Sequence, residues 1–266
     1  MSVLQCNFYS KYLMNYVDVT VYLPSMHNGD VIFHSLDELY EPGRKFRSIY
    51  LLHGMLDDHS CWMRWSRVEE YAEKHQIALV MPTGQNGFYI NAVHGLPYFD
   101  FINQELPMWA ENTFPLLEGR ENRFVAGLSM GGFGALRHGL TTPERYAAIG
   151  AFSPVCDLVA LNNILNKNNM ADMVAYDDLF GGIDKIKGTN NDLMYLAENV
   201  KQVAQNLPKI YIGCGKEDVL VYEMTRDYVE FLVQAGYDVT YMEMTGTHEW
   251  DVWNTCIREF IEMIDN

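Results

Sequence analysis

The sequence predicts an α/β fold: a mostly parallel central sheet with helices on both faces. Three observations carry that expectation. Short apolar runs such as RSIYLL (47–52) and IALVMP (77–82) suit strands buried on both sides. They alternate with longer stretches of helical spacing, the pattern of strand–helix–strand units. Several runs end in reactive or small residues, at His53-Gly54-Met55, Ser129, Asp218 and His248. Open sheets of this kind gather their ligand sites at strand carboxyl ends.

Residues 2–9 and 16–23 read as two strands able to pair antiparallel, followed by turns at Asn28-Gly29-Asp30 and Glu41-Pro42-Gly43. After strand 47–52, Asp58 or Ser60 is placed to cap a helix over 61–74, with Trp62, Trp65, Val68 and Tyr71 as its inner stripe. Strand 77–82 leads through a polar, aromatic loop into a helix over 101–112. Strand 123–127 is followed by a helix carrying Phe133, Leu136 and Leu140, then by strand 146–152. Residues 157–206 break the rhythm. They are rich in Asn, Asp, Met and Gly, and read as a short cap insertion over the carboxyl edge of the sheet. Strand 209–215 comes next, then a helix over 222–235 with Phe231 and Leu232 inward, stopped by Gly236. Strand 238–244 and a helix over 251–264 complete the chain. No repeat or linker interrupts it, so residues 1–266 read as a single domain.

Composition narrows the function. The 266 residues are 48% hydrophobic, enough for a sizeable core. The formal charge is −16, which repels nucleic-acid backbones and anionic membranes. No run approaches the roughly 18 apolar residues of a membrane span. The opening MSVLQCNFYSKYLMNY lacks the basic start and apolar run of a signal peptide. Cys6, Cys61, Cys156, Cys214 and Cys256 are odd in number and lack metal spacing. Free thiols in a reducing compartment, hence the cytoplasm, are the expectation.

The chemistry centres on Gly127-Leu128-Ser129-Met130-Gly131, a Gly-x-Ser-x-Gly sequence between a strand and a helix. A serine there sits on a strained turn with its hydroxyl exposed, and Gly127 and Gly131 remove side chains that would collide with neighbouring elements. Gly132 and Gly134 give further room. A serine hydroxyl needs a base to become a nucleophile. His248, after the last strand, is that candidate, and Asp218 is the candidate acid that orients it. Asp157 is the rival acid. The amides of Met55 and Met130 are placed to form an oxyanion hole. His53 reads as structural support for the oxyanion loop. Trp250 and Trp253 read as packing that orients the His248 loop. Asp57, Asp58 and His59 read as a solvated or capping loop, and no metal is expected. Trp62, Phe88, Tyr89, Met173 and Phe180 are candidate substrate contacts, the last two from the cap.

GLSMGGFGAL, LLHGM, the CGKED strand end and THEWDVW together resemble the esterase D-like branch of the α/β hydrolases, with the tributyrin esterases as the nearest pattern. The resemblance spans nearly the whole chain. It implies an α/β-hydrolase fold and a serine carboxylesterase acting on short-chain acyl or acetyl esters. Ser129, Asp218 and His248 then form the triad, and Met55 and Met130 supply the oxyanion amides. It implies no cofactor, a small-molecule ester as substrate, and a possible homo-oligomer. Feruloyl and acetyl-xylan esterases and S-formylglutathione hydrolases share similar motifs. The last usually carry His-Gly-Leu-Thr-Cys where this chain has His53-Gly54-Met55-Leu56-Asp57. A non-catalytic binding protein on the same fold is the rival from another class, and its usual sign is a lost triad residue.

Overall fold

A computed structural model describes residues 2–26 and 28–265. Its strands are β1 (Ser2–Ser10), β2 (Asn15–Leu23), β3 (Arg47–Leu52), β4 (Ile77–Pro82), β5 (Arg123–Leu128), β6 (Ala148–Phe152), β7 (Lys209–Gly215) and β8 (Val239–Met244). They form one sheet in the order β1-β2-β4-β3-β5-β6-β7-β8. β1 and β2 pair antiparallel, as do β2 and β4, and every later pairing is parallel. This is the α/β fold that the alternating runs predict.

The strand period of two distributes the core. Tyr50 and Leu52 of β3 face one layer, Ile49 and Leu51 the other. The first layer packs the helix Met130–Thr141 against β5 and β6. The second packs the closing helix Trp250–Asp265 against β6 and β7. That closing helix also meets the helix Val68–Lys74. Both faces are therefore covered, which explains why the inner strands show no polar alternation.

Register places the site. Leu52 pairs with Gly127, Leu128 with Phe152, Phe152 with Gly213, and Gly215 with Met244. The ends of β3, β5, β6, β7 and β8 thus run along one edge. The residues that follow them are His53, Ser129, Ser153, the 216–218 loop and the 245–248 loop.

Three local expectations are corrected. The helix expected over 61–74 is two helices, Cys61–Trp65 and Val68–Lys74. Ser66 between them is extended, and its hydroxyl donates to the Trp62 carbonyl while the Arg67 amide donates to Asn254. Trp65 therefore leaves the inner stripe and is 61% exposed. The helix expected over 101–112 begins earlier, at Tyr98, and widens to a π-turn over Phe101–Glu105 before continuing as Leu106–Thr113. Pro107 has no amide to donate, and such wider turns accommodate a broken ladder. Asn28–Val31 is a single helical turn where a plain turn was expected.

Candidate active site

Ser129 sits between β5 and the helix Met130–Thr141 with φ 53° and ψ −117°. A non-glycine residue in that region costs about 1–3 kcal/mol and persists only where its surroundings hold it. Its amide donates to the Phe152 carbonyl at 2.8 Å, and its carbonyl accepts from Phe133 at 3.0 Å. The flanking glycines are compelled by space. A Cβ on Gly127 would lie 2.4 Å from the Gly131 carbonyl oxygen, and one on Gly131 would lie 2.5 Å from that of Leu52. Both obstacles are backbone, so neither can swing aside.

His248 follows β8. Its Nε2 lies 2.9 Å from the Ser129 Oγ, and its Nδ1 lies 2.7 Å from Asp218 Oδ2. The Asp218 side chain is fully buried while the imidazole keeps 24% exposure. The other carboxylate oxygen of Asp218 accepts from the amides of Leu220 and Val221 at 3.1 and 3.2 Å. The carboxylate is thereby fixed at both ends. The two loops that carry Asp218 and His248 are joined directly. The Glu217 amide donates to the Gly246 carbonyl, and the Gly246 amide donates to the Glu217 carboxylate at 2.6 Å. Gly215 permits this approach, since a Cβ there would lie 2.2 Å from the Gly246 oxygen. Trp253 meets the His248 ring edge-on at 5.0 Å and packs on Trp250.

Asp157 is occupied elsewhere. It caps the helix Leu158–Lys167 by accepting from the amides of Val159 and Ala160, and it pairs with Lys187 at 3.1 Å.

The loop after β3 closes over the serine. A Cβ on Gly54 would lie 3.6 Å from the Ser129 Cβ. His53 is buried. Its Nε2 accepts from the Gly84 amide at 2.8 Å, so its Nδ1 carries the proton and donates to the Gly54 carbonyl at 2.6 Å. Burial lowers the His53 pKa to about 4, which keeps this ring neutral and the loop fixed. The amides of Met55 and Met130 have no hydrogen-bond acceptor among the described residues. An oxyanion requires unpaired N–H donors of this kind.

Ser129 and His248 border a cavity of about 190 Å³. Its lining also includes Gly54, Met55, Leu56, Asp57 and Leu128, and the apolar side chains of Val155, Leu161, Leu165, Met173, Leu220 and Trp253. Asp57 is half-buried. Its carboxyl pKa is raised, first by burial and then by neighbouring Asp58, and it makes no hydrogen bond or ion pair among the described residues.

The Esterase family profile ("Putative esterase") matches residues 10–263. The chain belongs to this esterase family. It is 33% identical to an acetyl esterase of Caldicellulosiruptor saccharolyticus, over 98% of this chain and 97% of that one. Among solved structures it resembles the fluorophosphonate-binding serine hydrolase FphF of Staphylococcus aureus, with a TM-score of 0.87, 27% identity and coverage of 100% and 98%. It also resembles the S-formylglutathione hydrolase FrmB of the same organism, with a TM-score of 0.82, 25% identity and coverage of 100% and 99%. The protein is thus a carboxylic ester hydrolase of the serine-hydrolase kind on an α/β-hydrolase fold.

The substrate contacts expected from sequence divide in this esterase. Met173 lines the cleft. Trp62 does not: it is buried in the second layer, its indole donates to the Leu52 carbonyl, and it packs on Phe152 and Trp250. Phe88 is buried against Phe133 and Phe180. Tyr89 is buried too, and its hydroxyl donates to the His53 carbonyl at 2.9 Å, so it braces the oxyanion loop from behind. Phe180 is buried and packs on Phe88 and Tyr176. The cleft walls that sequence reading missed are Val155, Leu161, Leu165 and Leu220. Their signal was faint: ordinary apolar residues, legible only as neighbours of a strand end, a helix start and the acid.

The division has a measurable consequence. Phe180→Ala should lower stability by about 3–5 kcal/mol, as for a buried aromatic removed, and leave acyl selectivity unchanged. Met173→Ala should shift the ratio of kcat/KM for acetyl and butyryl esters by roughly tenfold, the lower end of the effect of one methylene in a pocket. Thermal unfolding and a two-substrate assay separate the two.

Proposed function

We propose that this chain is a serine carboxylesterase that removes short acyl groups, acetyl foremost, from neutral alcohols. The observation that supports this most is the hydrogen-bonded chain Asp218–His248–Ser129 opening onto a small apolar cleft. In this reading His248 Nε2 takes the hydroxyl proton as Ser129 Oγ attacks the ester carbonyl carbon. The oxyanion accepts from the Met55 and Met130 amides. The intermediate collapses, the bond to the alcohol oxygen breaks, and His248 returns the proton to that oxygen. Water, deprotonated by His248, then releases the acid and frees Ser129. Asp218 holds the ring and stabilises its charged form throughout.

Size and charge favour this substrate class. Pockets for larger organic ligands run to roughly 300–1,000 Å³, against about 190 Å³ here. Trp62, Phe88 and Tyr89, the aromatic residues expected from sequence to meet the substrate, are buried and do not line the cleft, which leaves Trp253 as its one tryptophan among the described residues. Among the described residues, the cleft lining holds the carboxyl of Asp57 and no lysine or arginine that would pair with an anionic leaving group such as glutathione, which supports a neutral alcohol over S-formylglutathione. A non-catalytic role is disfavoured because each proposed catalytic group is present with a partner. Five unpaired thiols suit a reducing compartment, and the cytoplasm is the proposed location. No helix among the described residues is long and apolar enough to cross a membrane.

The test is a panel of p-nitrophenyl acetate, p-nitrophenyl butyrate, methyl ferulate and S-formylglutathione. The expected order of kcat/KM places acetate and butyrate first. Methyl ferulate or S-formylglutathione as the best substrate would replace this reading.

A further inference from the structure

The cleft has a neighbour. A second chamber of about 250 Å³ lies between the helices Leu158–Lys167 and Tyr222–Gln234 and the loop that follows Asp218. Its lining combines apolar Ala160, Ile164, Met194 and Met224 with charged groups, among which Lys187 is paired with Asp157 at 3.1 Å and lies 4.0 Å from Asp192.

Leu220 borders both chambers among the residues that line them. The helix Leu158–Lys167 shows the same division by register. Leu161 and Leu165 face the catalytic cleft, while Ala160 and Ile164 face the second chamber. The partition is therefore one helix edge and one side chain. Leu220 is held in place from its backbone, because its amide donates to the same Asp218 carboxylate that orients His248. Truncating the side chain leaves that bond intact.

Apart from Asp57, Ser129 and His248, the catalytic cleft is lined mainly by apolar side chains, among them Leu161, Leu165, Met173 and Leu220. An aliphatic acyl chain belongs against these apolar side chains. We propose that Leu220 is the partition that limits acyl length, and that the chamber behind it accepts the distal methylenes of a longer acyl chain when the partition is cut back. This rests on the short-acyl esterase reading above and names its specificity determinant.

The experiment compares kcat/KM for ethyl hexanoate and ethyl acetate in the wild-type chain, Leu220→Ala and the double variant Leu220→Ala with Ala160→Phe, each checked for folding by circular dichroism. Leu220→Ala should raise the hexanoate-to-acetate ratio by at least about tenfold, the scale of one or more methylenes gaining a pocket. The double variant should return the ratio toward wild type, because the new ring fills the second chamber. If Leu220→Ala does not fold, Leu220→Val should still raise the ratio several-fold. An unchanged ratio in a folded Leu220 variant overturns the partition, and a gain that survives Ala160→Phe overturns the chamber as its destination. Wild-type protein that cleaves neither ester overturns the esterase reading itself. Acetate cleavage with a flat ratio overturns only the inference about Leu220.

Discussion

Ser129→Ala should fold normally and lose kcat by roughly 10⁴ to 10⁶, the range for removal of a triad nucleophile. The fold should survive because the hydroxyl makes a single hydrogen bond among the described residues, with His248 at 2.9 Å. The strained turn is held by backbone bonds to Phe152 and Phe133 and by the clearance at Gly127 and Gly131. None of these involves the hydroxyl. The loss should fall on kcat, since the apolar walls that bind the acyl group are untouched. Steady-state kinetics beside a thermal melt check both halves, and retention of more than a few per cent of activity in a clean preparation would remove Ser129 from its role.

Asp218→Asn should cost roughly 10³ to 10⁴ in kcat, less than loss of the nucleophile. The amide can keep the bonds from Leu220 and Val221 to its oxygen. Its NH2 group would then face His248 Nδ1 and favour the wrong tautomer. Asp157→Asn should have a minor effect on kcat, because that carboxylate caps a helix and pairs with Lys187. Its cost in stability should also be small, at most about 1 kcal/mol, because Asn keeps an oxygen for the Val159 and Ala160 amides and loses only the partly exposed ion pair with Lys187. Parallel kinetics and melts of the two variants test the assignment, and the reverse ranking of kcat would move the acid to Asp157.

The two variants also mark what a sequence can carry. The parallel sheet was legible because β3, β4 and β5 are apolar throughout, a consequence of cover on both faces. The triad positions were legible because strand ends and glycine spacing are local features, and their convergence follows from sheet topology. Trp62, Phe88 and Tyr89 were misread because an aromatic residue gives the same local signal in a core as in a pocket. Only the packing in three dimensions separates them, and that depends on contacts distant in sequence, such as Trp62 with Trp250. The joint between Glu217 and Gly246 was illegible for the same reason: it spans two loops, and neither residue has a distinctive pattern alone. Trp65 failed differently. Its helix ends at Ser66, whose hydroxyl bonds to the Trp62 carbonyl, and polar side chains of this kind compete with the helix ladder.

The central claim is that the Ser129 hydroxyl is the activated nucleophile of this chain. Intact-mass analysis after exposure to a fluorophosphonate, followed by peptide mapping, tests it most directly. The account predicts one covalent adduct per chain, located on the peptide that contains Ser129, and absent from Ser129→Ala. No adduct on folded wild-type protein, or an adduct that persists in Ser129→Ala, would contradict it.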